Sequence, residues 1–207
     1  MRWFAAAIIT LGAFGTANAG SSALLEDGKS ITVGDATITV ESCSSTASTT
    51  FCTNGSVQFA AAPGPNEGFV IESVSSPGVT AFLPAGDDIT VMFEVATATK
   101  NITSIGLITA GTGNASTGET DNDSNFCGIG SGTAMAGHST KISLNYGSPC
   151  NSPTEKDIFI TKDMNAHSGS LIAVTQYIDA VGAPEPFSGA MLLVGLAGLG
   201  AVRRRRR

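Results

Sequence analysis

Side-chain oxygens at alternate positions form the pattern with the clearest chemistry in this sequence. Asp121, Asp123 and Asn125 offer three oxygen ligands two residues apart, which suits a hard cation such as calcium. A helix-flanked calcium loop would also need Gly at its sixth position and Glu at its twelfth, where Phe126 and Gly132 stand. Asn, Asp and Ser are also ordinary turn residues. A solvated acidic loop is therefore the alternative, and no metal ligand is assigned.

No other residues assemble into a catalytic pattern. His138 and His167 both stand in turn-like contexts rich in Gly and Ser, so an exposed or capping role is expected for each. The chain has no Gly-x-Ser-x-Gly elbow, no paired-carboxylate motif and no Gly-rich phosphate loop after a strand. We predict a protein without enzymatic activity and without a cofactor.

The first 19 residues have the layout of a secretory signal peptide. Arg2 supplies one positive charge, an apolar run follows, and small residues lead to an Ala-x-Ala site at Ala17 and Ala19. The apolar run covers only 11 residues, whereas a spanning helix needs about 20. We therefore predict cleavage by signal peptidase before Gly20, and export.

A second apolar stretch lies at the other end, in residues 187–202. As a helix it would be about 24 Å long, slightly short of a hydrocarbon core of roughly 30 Å, and a thinned bilayer can accommodate the difference. An arginine cluster follows, and each arginine would cost about 2.5–3.5 kcal/mol at mid-membrane. The sequence predicts a transmembrane helix over 187–202 whose basic end stays cytoplasmic. The cluster consists of Arg203, Arg204, Arg205, Arg206 and Arg207.

The tripeptide Pro184, Glu185 and Pro186 stands directly before this stretch. Each proline fixes its own φ and disfavours helix at the residue before it, so an extended peptide is expected at the membrane surface. With its tripeptide, apolar span and arginine cluster in this order, segment 182–207 resembles the PEP-CTERM sorting signal of Gram-negative bacterial surface proteins. Ala183 departs from the valine that often precedes the tripeptide.

The resemblance implies a route and a set of partners. The family tail is recognised by exosortase, a membrane enzyme similar to Cys transpeptidases, which processes it near the tripeptide. The chain would pass through a transient inner-membrane intermediate and then reach the cell surface or the extracellular space. Family members usually belong to bacteria that make exopolysaccharide and biofilm or floc matrices, and the same tail ends some exported ice-binding proteins.

Four cysteines in an exported chain indicate two disulfides, although three pairings are possible. We expect Cys43–Cys52 and Cys127–Cys150, because bonds between neighbours close the shorter loops. Each bond would contribute roughly 3 kcal/mol to stability. A zinc site is disfavoured because no Cys-x-x-Cys spacing occurs.

Residues 20–181, between the two signals, are enough for one domain. Runs of β-branched residues separated by Gly, Pro, Asp and Ser predict about ten strands and almost no helix. In 89–95 the odd positions are apolar, whereas Thr90 and Glu94 face away. We predict an all-β domain, a single antiparallel β-sandwich of jelly-roll or immunoglobulin-like type. A β-solenoid is disfavoured by the uneven strand spacing. The strands are expected at 31–33, 36–40, 56–60, 69–74, 79–83, 88–95, 102–110, 141–146, 157–161 and 170–178.

Residues 111–137 differ from the rest of the domain. They are small and polar, rich in Gly, Ser, Thr and Asn. We predict a long loop without strands, of the kind that is usually functional or mobile, tethered by the second disulfide.

The charge of the domain restricts its partners. Five lysines against 17 acidic residues between Gly20 and Pro186 give a formal charge of −12, which makes nucleic acid a poor partner. We predict an exported surface or matrix protein associated with exopolysaccharide. The alternative is a carbohydrate- or calcium-binding adhesin that works through residues 111–137. That alternative is weakened because the mature chain has no Trp, and its tyrosines are Tyr146 and Tyr177.

Overall fold

The computed structural model describes residues 21–45, 51–63, 67–151 and 155–181. In these ranges the chain forms twelve strands and no helix, and so nothing there is a helix able to cross a membrane. The signal peptide (1–19), with its cleavage site, and the tail (182–207) lie outside the described residues. The strands are β1 (Ser22–Leu24), β2 (Ser30–Val33), β3 (Ala36–Ser45), β4 (Val57–Ala61), β5 (Gly68–Ser73), β6 (Asp88–Thr97), β7 (Asn101–Thr112), β8 (Ser116–Asn122), β9 (Gly128–Met135), β10 (His138–Ser143), β11 (Asp157–Asn165) and β12 (Ser170–Val181).

Two six-stranded antiparallel sheets pack face to face, which confirms the predicted all-β sandwich. The first sheet has the order β1-β4-β5-β12-β7-β10, and the second has β2-β3-β6-β11-β8-β9. From β5 to β9 the chain crosses from one sheet to the other after β5, β6 and β7, so long-range pairing holds both sheets together.

The core lies between the sheets and is built by residues at alternate strand positions. Ile89, Val91, Phe93 and Val95 of β6 are all buried, as their spacing predicts. Phe93 contacts two rings of the first sheet, Phe59 at 5.9 Å and Phe69 at 4.7 Å between ring centroids. These aromatic contacts join the sheets at the centre of the sandwich.

A two-residue turn, Gly34-Asp35, connects β2 to β3, and Val33 pairs with Ala36 across it. Gly34 has φ of 61°, a left-handed conformation that glycine adopts at little cost. Of the two sequence-based alternatives for this segment, a hairpin or one bent strand, the structure contains the hairpin.

The prediction of a strandless loop over 111–137 is wrong. Strands β8 and β9 occupy most of this segment, and β8 pairs with both β11 and β9. Apolar alternation is missing because the inward positions of β8 carry Thr117, Glu119 and Asp121. On β9, the inward positions opposite Glu119 and Asp121 are occupied by Gly132 and Gly130. A polar interior therefore concealed both strands.

Two smaller differences concern the predicted strands. Segment 79–83 is not a strand, and it pairs only through an isolated bridge between Leu83 and Leu171. Strand β1, which pairs with β4 at the edge of the first sheet, was not predicted, because it is only three residues long.

The structure contains both disulfides, Cys43–Cys52 and Cys127–Cys150, with the pairing that was expected. The first ties the end of β3 to the segment before β4. The second ties the β8–β9 turn to the segment between β10 and β11. Disulfides are typical of proteins that leave the reducing cytosol.

Candidate functional site

The predicted cation ligands Asp121, Asp123 and Asn125 lie in different environments. Asp121 and Asp123 are fully buried, whereas Asn125 is exposed. The Oδ1 atom of Asp123 accepts hydrogen bonds from the backbone N–H groups of Asn125 at 2.9 Å and Cys127 at 2.8 Å. Asp123 therefore stabilises the β8–β9 turn, and the three side chains do not form a common site.

Three sets of interactions stabilise the β8–β9 turn. Besides Asp123 within the turn, Glu155 accepts hydrogen bonds from the backbone N–H of Ser124 at 2.8 Å and from its hydroxyl at 3.0 Å. The Cys127–Cys150 disulfide fastens the last residue of the turn. A turn held in this way keeps its shape when its other side chains are exposed to solvent.

The turn presents an exposed aromatic ring. Phe126 is 63% exposed and has φ of 59°, a conformation that bulky residues rarely adopt. Its ring stacks on that of Phe159 in β11, with centroids 4.7 Å apart and planes at 21°. Backbone strain at an exposed residue tends to occur at binding or catalytic sites, where the surrounding structure enforces it. We call Phe126 and Phe159 the aromatic pair.

A polar depression of about 360 Å³ lies on the same outer face of the second sheet. Thr161 and Asp163 follow Phe159 at alternate positions of β11, so their side chains share its face. Cross-strand pairing places Thr120 beside Thr161 and places Gly118, which has no side chain, beside Asp163. Ser131 and Thr133 of β9 add two more hydroxyl groups to the lining.

Carboxyl groups border this face. Glu94 of β6 pairs across the sheet with Phe159. Burial raises the pKa of the Glu94 carboxyl, and the negative charges of Asp157 and Glu41 raise it further. At the other end of β6, burial raises the pKa of Asp88, with a contribution from Asp163. The face thus combines an aromatic pair with hydroxyl and carboxyl groups, which can stack on and hydrogen-bond a polyhydroxylated ligand.

The interior between the sheets contains a cluster of polar side chains. Lys162 of β11 is fully buried, and its Nζ atom contacts a carboxylate oxygen of Glu119 in β8 and the amide oxygen of Gln176 in β12. The Nε2 atom of Gln176 donates to the other oxygen of Glu119 at 3.1 Å. Each of the three residues therefore contacts the other two. We call Lys162, Glu119 and Gln176 the buried triad.

Asp121 lies next to the buried triad. Its two carboxyl oxygens are buried without a hydrogen-bond partner. Burial raises the pKa of Asp121 to about 8, the negative charge of Glu119 adds to the rise, and Lys162 opposes it. Asp121 is thus mostly protonated at neutral pH, so the interior avoids a second negative charge.

The other residues considered in the sequence lie apart from the candidate face. Tyr146 is buried, and its hydroxyl donates to the carbonyl of Ile102 at 2.9 Å. Burial raises the pKa of Tyr146 to about 12. Tyr177 is half-buried in the first sheet. His138 is exposed at the start of β10, and His167 is exposed in the turn before β12.

Among the residues that the structure describes, one group of potential metal ligands is close enough to share an ion. It consists of Asp123, Cys127 and Cys150, whose ligand atoms lie within 4.8 Å of one another. Because the two sulfurs are bonded to each other, neither is the thiolate that binds metals. This group does not support a metal centre.

No family model matches the chain, and no curated protein matches it. Among solved structures, it is similar to TmCBM61 in complex with beta-1,4-galactotriose, with 12% identity, a TM-score of 0.38, and coverage of 67% of this chain and 88% of that one. A CBM4 structure gives 7% identity and a TM-score of 0.29, and the match covers 60% of this chain and 75% of that one. The enzymatically active domain of bacteriophage CBA120 tailspike protein 4 gives 8% identity and a TM-score of 0.35, and the match covers 72% of this chain and 20% of that one. With every TM-score below 0.5, neither ligand nor activity is transferred from these proteins.

Sequence reasoning missed the aromatic pair and the buried triad. No local pattern distinguishes exposed Phe126 from a core phenylalanine. For Lys162 a signal existed: it occupies an inward position in the alternation of Ile158, Ile160 and Met164 in β11. A lysine at such a position requires a buried partner.

Proposed function

We propose that the domain is a non-enzymatic polysaccharide-binding module and that its binding face is the outer face of the second sheet around the aromatic pair. The observation that carries this proposal is the exposure of Phe126. Its ring stacks on Phe159, and the disulfide-bonded β8–β9 turn holds it beside a polar depression. A rigid, exposed aromatic ring loses little conformational entropy when it stacks on a sugar, and the adjacent hydroxyl groups provide hydrogen bonds.

Replacing Phe126 with alanine is expected to weaken polysaccharide binding at least tenfold, equivalent to about 1.4 kcal/mol. The measurement is native affinity electrophoresis of the purified protein in gels that contain soluble galactan, xylan, mannan, β-glucan or a bacterial exopolysaccharide. The wild type should be retarded by at least one of them, and Phe126→Ala should migrate as in a plain gel.

The matched control is Val79→Ala, which deletes two methyl groups from a residue that is 76% exposed and lies outside the strands. This variant should be retarded as strongly as the wild type. Equal retardation of Phe126→Ala and wild type would move the binding face elsewhere, and a wild type that none of the polysaccharides retards would end the proposal.

We also propose that the chain is an exported surface protein sorted by its PEP-CTERM-like tail. The order of Pro184, Glu185 and Pro186, the apolar stretch 187–202 and the five terminal arginines supports this route. Signal peptidase would remove residues 1–19, the tail would hold the chain in the inner membrane, and exosortase would process it near the tripeptide. The domain would then be placed among exopolysaccharide at the cell surface, where a binding face is useful.

Changing the tripeptide to three alanines is expected to leave the tail uncut and the chain in the inner membrane. Immunoblots of inner-membrane, outer-membrane and medium fractions from a host that has exosortase measure this, and deletion of exosortase should give the same pattern. Pro77→Ala, in an exposed turn, is the matched control and should be processed as the wild type is. Normal release of the triple-alanine variant would refute sorting by this tail.

For the fold, we propose the jelly-roll alternative over the immunoglobulin-like one. The last eight strands form the four-stranded sets β5-β12-β7-β10 and β6-β11-β8-β9, an order that supports two interlocked Greek keys. Strands β1 to β4 extend one side of each sheet.

A further inference from the structure

The buried triad combines a nucleophile, an acyl donor and a proton carrier. The Nζ atom of Lys162 contacts the amide oxygen of Gln176, so the amine lies beside the carboxamide group. Glu119 contacts both partners, with one oxygen at the lysine amine and the other at the amide nitrogen of Gln176. A primary amine is a competent nucleophile toward a carbonyl carbon once a neighbouring base has taken its proton.

We propose that Lys162 and Gln176 form an intramolecular isopeptide bond, with Glu119 as the catalytic proton carrier. The bond would join β11 of the second sheet to β12 of the first, and so would link the two halves of the sandwich covalently. It is a self-modification that requires no cofactor and no partner. It does not depend on the proposed polysaccharide binding.

The reaction is an amide exchange in which atoms and charges balance. Glu119 accepts a proton from the Lys162 ammonium, and the neutral amine attacks the Cδ atom of Gln176. The tetrahedral intermediate collapses when Glu119 returns that proton to the Nε2 nitrogen, which leaves as ammonia, and Glu119 then takes the second proton that the attacking nitrogen loses. The ion pair of Lys162 and Glu119 thus ends as a neutral amide and a neutral Glu119 carboxyl. One C–N bond forms, one C–N bond breaks, and nothing is oxidised or reduced. The position of Glu119 allows it to serve both steps, because its two oxygens already contact the attacking and the leaving nitrogen.

The surroundings of the triad favour this reaction. All three side chains are fully buried, so no bulk water competes with the amine or hydrolyses the product. The ring of Phe69 lies 5.9 Å from Nζ, with the apolar core behind it. Asp121, on the same strand as Glu119, is a further ionisable group beside the triad. Folding alone brings the reactants together, since they come from three strands in two sheets.

Mass spectrometry tests the bond directly. The purified, reduced protein should be about 17 Da lighter than its sequence requires, because ammonia is lost. Cleavage on the N-terminal side of aspartate separates the lysine in peptide 157–162 from the glutamine in peptide 163–178. With the bond, these peptides appear as one species at their summed mass less about 17 Da, linked through Lys162 and Gln176. Ammonia lost elsewhere, as from an asparagine, would leave the two peptides separate.

Glu119→Gln and Lys162→Arg should both restore the full sequence mass and release the two peptides separately. Lys141→Arg is the matched control, since Lys141 forms an exposed ion pair with Asp179, and it should keep the linked species. Recovery of separate, unmodified peptides from the wild type after prolonged incubation of the folded protein would overturn the proposal, and this result does not depend on whether any variant folds. If the linked species persisted in Glu119→Gln, the isopeptide bond would be supported, and the proposal that Glu119 carries the proton would be wrong.

Discussion

Replacing Lys162 with methionine is expected to lower the free energy of unfolding by about 3–5 kcal/mol. In molecules whose Lys162 has not reacted with Gln176, the substitution leaves Glu119 buried without its cation, and removal of one member of a buried ion pair costs more than the pair itself contributes. The side chains of Lys162 and Glu119 are both fully buried, so neither water nor salt can compensate. No other single change in the described core is expected to have a larger electrostatic effect.

Urea denaturation monitored by far-UV circular dichroism measures this loss, and the double variant Lys162→Met/Glu119→Leu provides the control. Removal of both charges should recover most of the lost stability, because the apolar pair has no desolvation cost. If the single variant were as stable as the wild type, Glu119 would have to be solvated or protonated. If the double variant were as unstable as the single one, packing or the proposed covalent bond, and not charge, would account for the loss.

Stability is expected to fall by up to about 1.4 kcal/mol for each pH unit between about pH 4 and pH 8 because of Asp121. Burial raises the pKa of this carboxyl from an ordinary value of 3.8 to about 8 in the folded protein. Between these values the folded state holds a proton that the unfolded state has released. The stabilising proton is fully present below pH 4 in both states, and each rise in pH then favours the unfolded state until the folded carboxyl ionises.

The Asp121→Asn variant isolates this contribution, because asparagine has nearly the same shape and does not titrate. Denaturation curves of both proteins at pH 5, 6, 7 and 8 should show that the free energy of unfolding falls more steeply with pH for the wild type. The stability of the variant relative to the wild type should therefore rise throughout this range. Other carboxyls with raised pKa values, such as Glu94 and Asp88, are shared by both proteins and cancel in the difference. Parallel pH profiles would show that Asp121 is ionised in the folded state.

The candidate binding face and the buried triad both depend on the strands β8 and β11. These strands hold the outer depression on one side and Glu119 and Lys162 on the other, so successive residues alternate between the two. Substitutions at even and odd positions of the same strand should therefore affect different properties. Changes at Thr120 or Thr161 should alter ligand binding, and changes at their neighbours should alter stability.

Much of the sandwich follows from local patterns. Strands with apolar residues on one face, such as β6, and the Gly34-Asp35 turn were predictable because burial of one face imposes alternation and a left-handed turn favours glycine. The pairing of Cys43 with Cys52 and of Cys127 with Cys150 also followed from sequence proximity. By contrast, β8 and β9 were missed, since their inward residues are acids, threonine and glycines whose burial depends on partners far away in the chain.

Fold class, disulfide pairing and the expectation of export could all be inferred from local features, because periodicity, cysteine spacing and terminal signals do not depend on distant parts of the chain. The location of the candidate binding face and the composition of the buried triad are properties of the folded protein. Phe126 is exposed because a buried aspartate, Glu155 and a disulfide hold its turn, and Lys162 meets Glu119 and Gln176 because three strands converge. Contacts between residues 14 to 57 positions apart arise from long-range packing, which no local window of sequence contains.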